Sequence, residues 1–266
     1  MNNNNNIDTL AHHEFKIDPL MKIGYVSLNI SDLQKSIEFY QSKLGFKLLG
    51  RSSNVRALLS GNGNRSSHLI ELLCTGHEFS SGTAKRAGLY HFAILLPERK
   101  YLADMLQNLK QRSNEVYFEG LADHLVSESI YIRDPDFNGV EIYSDRPRSE
   151  WHWNYMNQIE MATLPLRTAD LLEESTEKGW REMPAKTTIG HVHLHVKNLA
   201  RAKMFYHKIL GLNLTTTYPG AYFFAARRYH HHVAVNTWLG SDISPAQPQK
   251  IGLNHFAVRL SSIGWN

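Results

Sequence analysis

The sequence predicts an α+β fold built from tandem βαβββ units, on three observations. A repeat holds one constant offset: Ile23-Gly24-Tyr25-Val26 returns as Ile189-Gly190-His191-Val192, Phe39-Tyr40 as Phe205-Tyr206, and Leu44-Gly45-Phe46 as Leu210-Gly211-Leu212. A second repeat sets Gly88-Leu89-Tyr90-His91-Phe92-Ala93 against Gly252-Leu253-Asn254-His255-Phe256-Ala257. Within each copy, apolar residues pass from period two to helical spacing and back, the mark of a strand, a helix and further strands.

The first unit opens on an alternating strand, Ile23–Ile30. Ser31 to Gln34 reads as a capping box, with Ser31 capping the helix and Gln34 reaching back. Leu33, Ile37, Tyr40 and Leu44 follow at helical spacing, and Gly45 ends the helix where a positive φ is wanted. Strands are expected at Lys47–Gly50, Val55–Leu59 and His68–Leu73, the last two separated by the turn signal Gly61-Asn62-Gly63-Asn64. The second unit repeats the plan: strand Leu89–Leu96, helix Glu98–Arg112, then strands Val116–Glu119, Glu128–Arg133 and Gly139–Tyr143. The segment Ser144 to Thr187 carries Trp151, Trp153 and a helical pattern over Ala169–Gly179, so it is expected to pack rather than hang as a tether. A third unit runs from Ile189 to Leu239, and a fourth begins at Ile251 and supplies one strand. The expected division is a tail over 1–21, a first domain over 22–145, a packed linker over 146–187 and a second domain over 188–266 whose last unit is incomplete. That incompleteness should leave Val26, Leu28 and Ile30 partly uncovered and favour a homo-oligomer.

Composition narrows the function. Charged residues make up 20% and hydrophobic ones 42% of 266 residues, the profile of a soluble globular protein. No run of Lys and Arg interleaved with aromatics accompanies the formal charge of +4, which argues against nucleic acid as a partner. Cys74 is the one cysteine, so an internal disulfide and a cysteine zinc site are excluded, and a cytoplasmic setting suits it. No apolar run is long enough to span a membrane, and the asparagine-rich start lacks the regions of a signal peptide.

Histidine, at 15 residues, is the outlier. In Gly190-His191-Val192-His193-Leu194-His195-Val196 strict alternation puts three imidazoles on one face of a strand. Same-face neighbours stand about 6–7 Å apart, so at most one of the three ligates a given ion. Tyr229 to Val235 reads as another short strand carrying His230, His231 and His232. His91, in an otherwise apolar strand, reads as either a buried structural histidine or a ligand. Glu141, between Val140 and Ile142, needs a cationic neighbour, because an unpaired buried carboxylate is costly. Two histidines and a carboxylate from separate strands fit the facial triad of non-haem Fe(II) oxygenases.

These residues, with Asp134-Pro135-Asp136-x-Asn138-Gly139-x-Glu141 and Asp123-His124-x-Val126-Ser127-Glu128, resemble the vicinal oxygen chelate superfamily. The resemblance is strongest to its catechol-2,3-dioxygenase-type, extradiol ring-cleaving members. It implies paired βαβββ units forming curved, barrel-like mixed sheets. The activity it implies opens a catechol or substituted catechol beside its diol, with Fe(II), or alternatively Mn(II), and dioxygen. The implied ligands are His191, a first-strand histidine of the partner unit (His91 or His255), and a glutamate matched by Glu141. Tyr131, ten residues before Glu141, matches a tyrosine of the extradiol enzymes; His232 or its neighbour His231 matches a histidine assisting with dioxygen and protons. His124 lies near a further active-site histidine, and His193 is expected to touch substrate. Pairing units two and three gives the full set His91, Glu141, His191. Units one and four have Tyr25 in a ligand position and are expected to lack the glutamate. Rival readings are a glyoxalase-type lyase or isomerase and a non-catalytic small-molecule-binding protein.

Overall fold

A computed structural model describes residues 15–61, 67–76, 85–176, 178–247 and 249–261. Residues 1–14 of the expected tail over 1–21, the Asn62–Asn64 part of the turn and the last five residues lie outside that range. The first unit comprises β1 (Lys22–Ile30), α1 (Leu33–Glu38), β2 (Lys47–Ser52), β3 (Arg56–Ser60) and β4 (Ile70–Cys74). The second comprises β5 (Gly88–Leu96), α2 (Arg99–Gln111), β6 (Tyr117–Asp123), β7 (Ser127–Arg133) and β8 (Gly139–Asp145). A short α3 (Thr168–Leu172) precedes the third unit: β9 (Thr188–His195), α4 (Leu199–Lys203), β10 (Asn213–Tyr218), β11 (Ala221–Ala225) and β12 (Val233–Asn236). The fourth unit contributes β13 (Gly252–Arg259).

Two open mixed sheets result. One has the order β13-β1-β4-β3-β2 and the other β10-β11-β12-β9-β5-β8-β7-β6. The eight-stranded sheet therefore joins units two and three through the antiparallel pair β5 and β9, and β13 adds antiparallel to β1 in the smaller sheet. The fold is α+β and rich in strand, as the sequence predicts, and neither sheet closes on itself as a barrel among the described residues. No described helix is long and apolar enough to cross a membrane.

Local chemistry explains where the elements start and stop. The cap of α1 is Asp32, not Ser31: its carboxylate accepts from the backbone N–H of Gln34 and Lys35. Ser31 instead donates its N–H and hydroxyl to Asp136, and Tyr40 donates to Asp134, tying the first unit's helix to the β7–β8 turn. Both α1 and α4 widen into a π turn at matching positions, Phe39–Lys43 and Met204–Ile209, so the repeat extends to an unusual backbone feature. Gly45 takes the expected positive φ of 81°. The helix expected over Ala169–Gly179 stops at Leu172, because Ser175 and the Thr176 N–H bond to the Asp104 carboxylate and draw the chain away. The strand expected from Tyr229 begins only at Val233. Arg227, at a φ of 57°, turns the chain, and the three histidines sit in the lead-in to β12.

The core is continuous between the sheets. Val26, Leu28 and Ile30 are fully buried in one cluster with Leu33, Ile37 and Tyr40 and with Ile189 and Val192 of β9. The face expected to be exposed is thus covered by the unit's own helix and the neighbouring sheet, and it offers no apolar surface for self-association. In the eight-stranded sheet Phe92, Ile94, Ile130, Ile132, Val140, Ile142, Val192, Val233 and Val235 fill this core. Their alternates on the same strands point the other way.

Gly190 permits a close approach: a Cβ there would fall 1.8 Å from the Tyr143 hydroxyl. Tyr143 in turn hydrogen-bonds Tyr229 at 2.8 Å and packs against the His191 ring. Gly190→Ala should therefore destabilise by about 1–3 kcal/mol through overpacking, seen as a lowered Tm, whereas Gly50→Ala, with open space around it, should not.

Candidate metal centre

The face opposite the core collects the polar side chains. Strand pairing sets Glu141 of β8, Ala93 of β5 and His191 of β9 side by side, with His91 two residues before Ala93. The side chains of such neighbours share a face. His191 Nε2 lies 2.9 Å and His91 Nε2 3.0 Å from the same Glu141 oxygen, Oε2. The Ser129 hydroxyl donates to the other oxygen at 2.6 Å. In place of the Lys or Arg that the sequence demanded for Glu141, two imidazoles face it, and Ala93 leaves the space between them clear.

All three side chains are buried. Burial lowers the pKa of His191 to about 4, so its ring is neutral at pH 7. Burial works to raise the Glu141 carboxyl, but the His191 and His91 groups against it outweigh that and hold it well below the ordinary range. An ionised carboxylate beside the neutral His191 ring, with no Lys or Arg paired to it among the described residues, is suited to a cation. Neutral nitrogen and ionised oxygen are the forms that bind a metal. The ligand atoms of His91, Glu141 and His191 all lie within 4.8 Å of one another. His191, His230 and His231 also meet that distance. There, however, His230 Nδ1 and His231 Nδ1 are 2.7 Å apart, closer than the roughly 3.0 Å that adjacent ligands at about 2.1 Å around an octahedral ion would hold, a spacing that the 2.9 and 3.0 Å separations of the carboxylate set match. His230 Nε2 is moreover engaged by Asp145 at 3.0 Å. The set containing the carboxylate fits an ion better.

A cavity of about 340 Å³ opens on this face. Tyr131, His124 and His193, all singled out from sequence, line it. His124 Nδ1 lies 2.7 Å from the Ala162 carbonyl, which can only accept, so Nδ1 carries the proton. Nε2 is then the acceptor for the Tyr131 hydroxyl at 2.7 Å. Burial, reinforced by Glu141, pushes the Tyr131 phenol well above its ordinary pKa. His193 Nε2 accepts from the Asn236 amide at 3.0 Å, and the same amide's oxygen accepts from His195 Nδ1. His232 does not line the cavity: its Nδ1 accepts from the Ala226 N–H and its ring lies against Tyr229. His231 lines it instead, its ring centroid 4.0 Å from that of His191. His255 lies in the other sheet. Tyr90, Phe223 and Trp238 complete the aromatic wall and went unread in the sequence, where nothing but strand register could have pointed to them.

Burial also depresses the pKa of His232 to about 3 and those of His193 and His231 well below 6.5. Such groups bind protons more readily in the unfolded chain, so stability is present above pH 6.5 and drains as pH falls toward 4. Asp134, raised to about 6 by burial, works the opposite way over part of that window. The four histidines should prevail, and the urea midpoint should drop steadily between pH 7 and pH 4. An unchanged midpoint would mean these rings are not buried neutral.

A family model for the Glyoxalase/Bleomycin resistance protein/Dioxygenase superfamily matches residues 22–142 and 188–263. The chain is 38% identical over 242 residues to the catechol-2,3-dioxygenase of Bacillus subtilis (strain 168), covering 90% of this chain and 82% of that protein. Among solved structures, one from Bacillus subtilis subsp. subtilis str. 168 superposes with a TM-score of 0.53 at 12% identity, and the match covers 84% of this chain and 65% of that one. A glyoxalase I variant from Zea mays gives a TM-score of 0.50 at 16% identity, covering 83% of this chain and 70% of that one, a likeness of fold. On its repeat, its sheet pairing and these matches, the chain belongs to the glyoxalase, bleomycin resistance protein and dioxygenase superfamily.

Proposed function

We propose that the protein is an extradiol dioxygenase that opens catechol or a neutral substituted catechol beside its diol, with Fe(II) held by His91, Glu141 and His191. The observation that carries this is the convergence of two imidazoles on one buried carboxylate oxygen in an aromatic-walled cavity. Two histidines and a carboxylate bind one side of an ion and leave the other for substrate and dioxygen. Bound there, iron would supply the electron transfer between catecholate and dioxygen that ring opening requires.

The chain's own groups do the rest. Ser129 fixes the carboxylate, and the aromatic wall orients the ring and excludes water. The Tyr131 hydroxyl, whose one proton is directed to His124 Nε2, is placed to accept a hydrogen bond from substrate and to relay a proton to His124. His231 engages His230 through Nδ1, which leaves Nε2 as its remaining nitrogen for acid–base work. No lysine or arginine lines the cavity among the described residues, and Glu119 at its wall is paired with Arg133. A carboxylate on the ring would therefore meet no cationic side chain among the described lining residues.

Protein loaded anaerobically with Fe(II) should consume one dioxygen per catechol and form a yellow ring-opened product. Carboxylated catechols should turn over far less well. Glu141→Ala and His191→Ala should each lose the iron with circular dichroism unchanged, and His231→Ala should lower kcat by roughly 10²–10⁴-fold while retaining metal. Isomerisation of a glutathione hemithioacetal without oxygen uptake on any catechol would favour a glyoxalase-type activity instead.

A further inference from the structure

The smaller sheet repeats the candidate centre position by position. Around the centre, Glu141, Ala93 and His191 stand in one row, His91 lies two residues before Ala93, and Ser129 pairs with Tyr143, two residues beyond Glu141. In the smaller sheet, Glu71, Ser27 and His255 stand in one row, Tyr25 lies two residues before Ser27, and Arg56 pairs with Leu73, two residues beyond Glu71. The glutamate expected to be missing from the first unit is therefore present as Glu71. It escaped the sequence because the offset of β4 from β1 differs from that of β8 from β5.

Three positions differ, and each difference removes the need for an ion. Where Ser129 offers a hydroxyl to Glu141, Arg56 Nε donates to Glu71 Oε1 at 2.6 Å and brings a permanent positive charge. Where His91 offers a ring nitrogen, Tyr25 offers a hydroxyl that lies 3.1 Å from His255 Nε2 and engages it. Where Ala93 leaves space, Ser27 carries a hydroxyl that hydrogen-bonds Glu71. Burial tends to raise the Glu71 carboxyl, and the bonds from Ser27 and Arg56 outweigh it, so the group is ionised and already satisfied.

We propose that this sheet holds a second copy of the centre in which the Arg56 guanidinium takes the place of a divalent cation. The native chain then binds one ion rather than two, and restoring the residues of the first centre at two positions, with Tyr25→His and Arg56→Ser, opens a second metal site. The count of one native ion rests on the metal reading of the first centre; the second site does not.

Mn(II) titration, followed by the electron paramagnetic resonance signal of the free ion, separates the two. Wild type should bind one equivalent and the double variant two. The second equivalent should survive His191→Ala and vanish when Glu71→Gln is added. Arg56→Ser alone, a milder change should the double variant not fold, should gain a second equivalent at least about tenfold weaker, since a charged ligand of the ion remains but one nitrogen is lacking. Two equivalents in wild type, one of them lost on Glu71→Gln, would overturn the proposal. So would folded variants that stay at the wild-type count. Wild type at zero with the double variant at one would sink the first centre as a metal site and leave this inference standing.

Discussion

The antiparallel pairing of β5 with β9 is the constraint on which the rest of the site depends. It sets Ala93 opposite His191, while the parallel pairing of β5 with β8 sets the same Ala93 beside Glu141. One small residue in the middle strand thus fixes the separation of two polar side chains on either flank. A slip of one residue in either register would send those side chains into the apolar core. Val192, Phe92 and Val140, buried on the opposite face, resist that slip, so the hydrophobic core and the candidate centre specify each other.

The segment between the two repeats completes the cavity. Its residue Ile159 donates to the Thr215 carbonyl of β10, and Leu164 exchanges backbone hydrogen bonds with Asp123 of β6. Those are the two edge strands of the eight-stranded sheet. A strap of a few residues therefore runs from one sheet edge to the other, satisfying exposed edge groups that would otherwise invite pairing with another chain. Met161, Ala162 and Thr163, the middle of the strap, line the cavity, and the Ala162 carbonyl sets the tautomer of His124. Packing and chemistry meet in the same backbone atoms.

Duplication gave the molecule equivalent positions, and divergence gave them different tasks. The copies keep what the fold needs: the alternating first strand, the helix that widens to a π turn, and the glycine after it. They part at the residues that face away from the core. Each sheet combines strands from both copies: one brings His91, Glu141 and His191 together, and in the other Arg56 pairs with Glu71. The difference is electrostatic and leaves the backbone plan unchanged.

The sequence by itself determined the repeat, the order of strands and helices, and the faces on which His191, His193 and Glu141 would lie, because periodicity and glycine placement are local properties. It also marked His91, Tyr131 and His124, through resemblance to a superfamily. The tertiary structure decided what local pattern cannot carry. Three adjacent histidines do not say which one turns to a cavity, and strand register together with the turn at Arg227 selected His231 over His232. The capping role fell to Asp32 because Ser31 has a partner more than a hundred residues away in Asp136. Val26, Leu28 and Ile30 are buried because a second sheet packs beyond them, a contact with no sequence signature. Glu71 became visible as the counterpart of Glu141 only once strands were laid side by side, since equivalence in a sheet is set by hydrogen-bond register and not by distance along the chain.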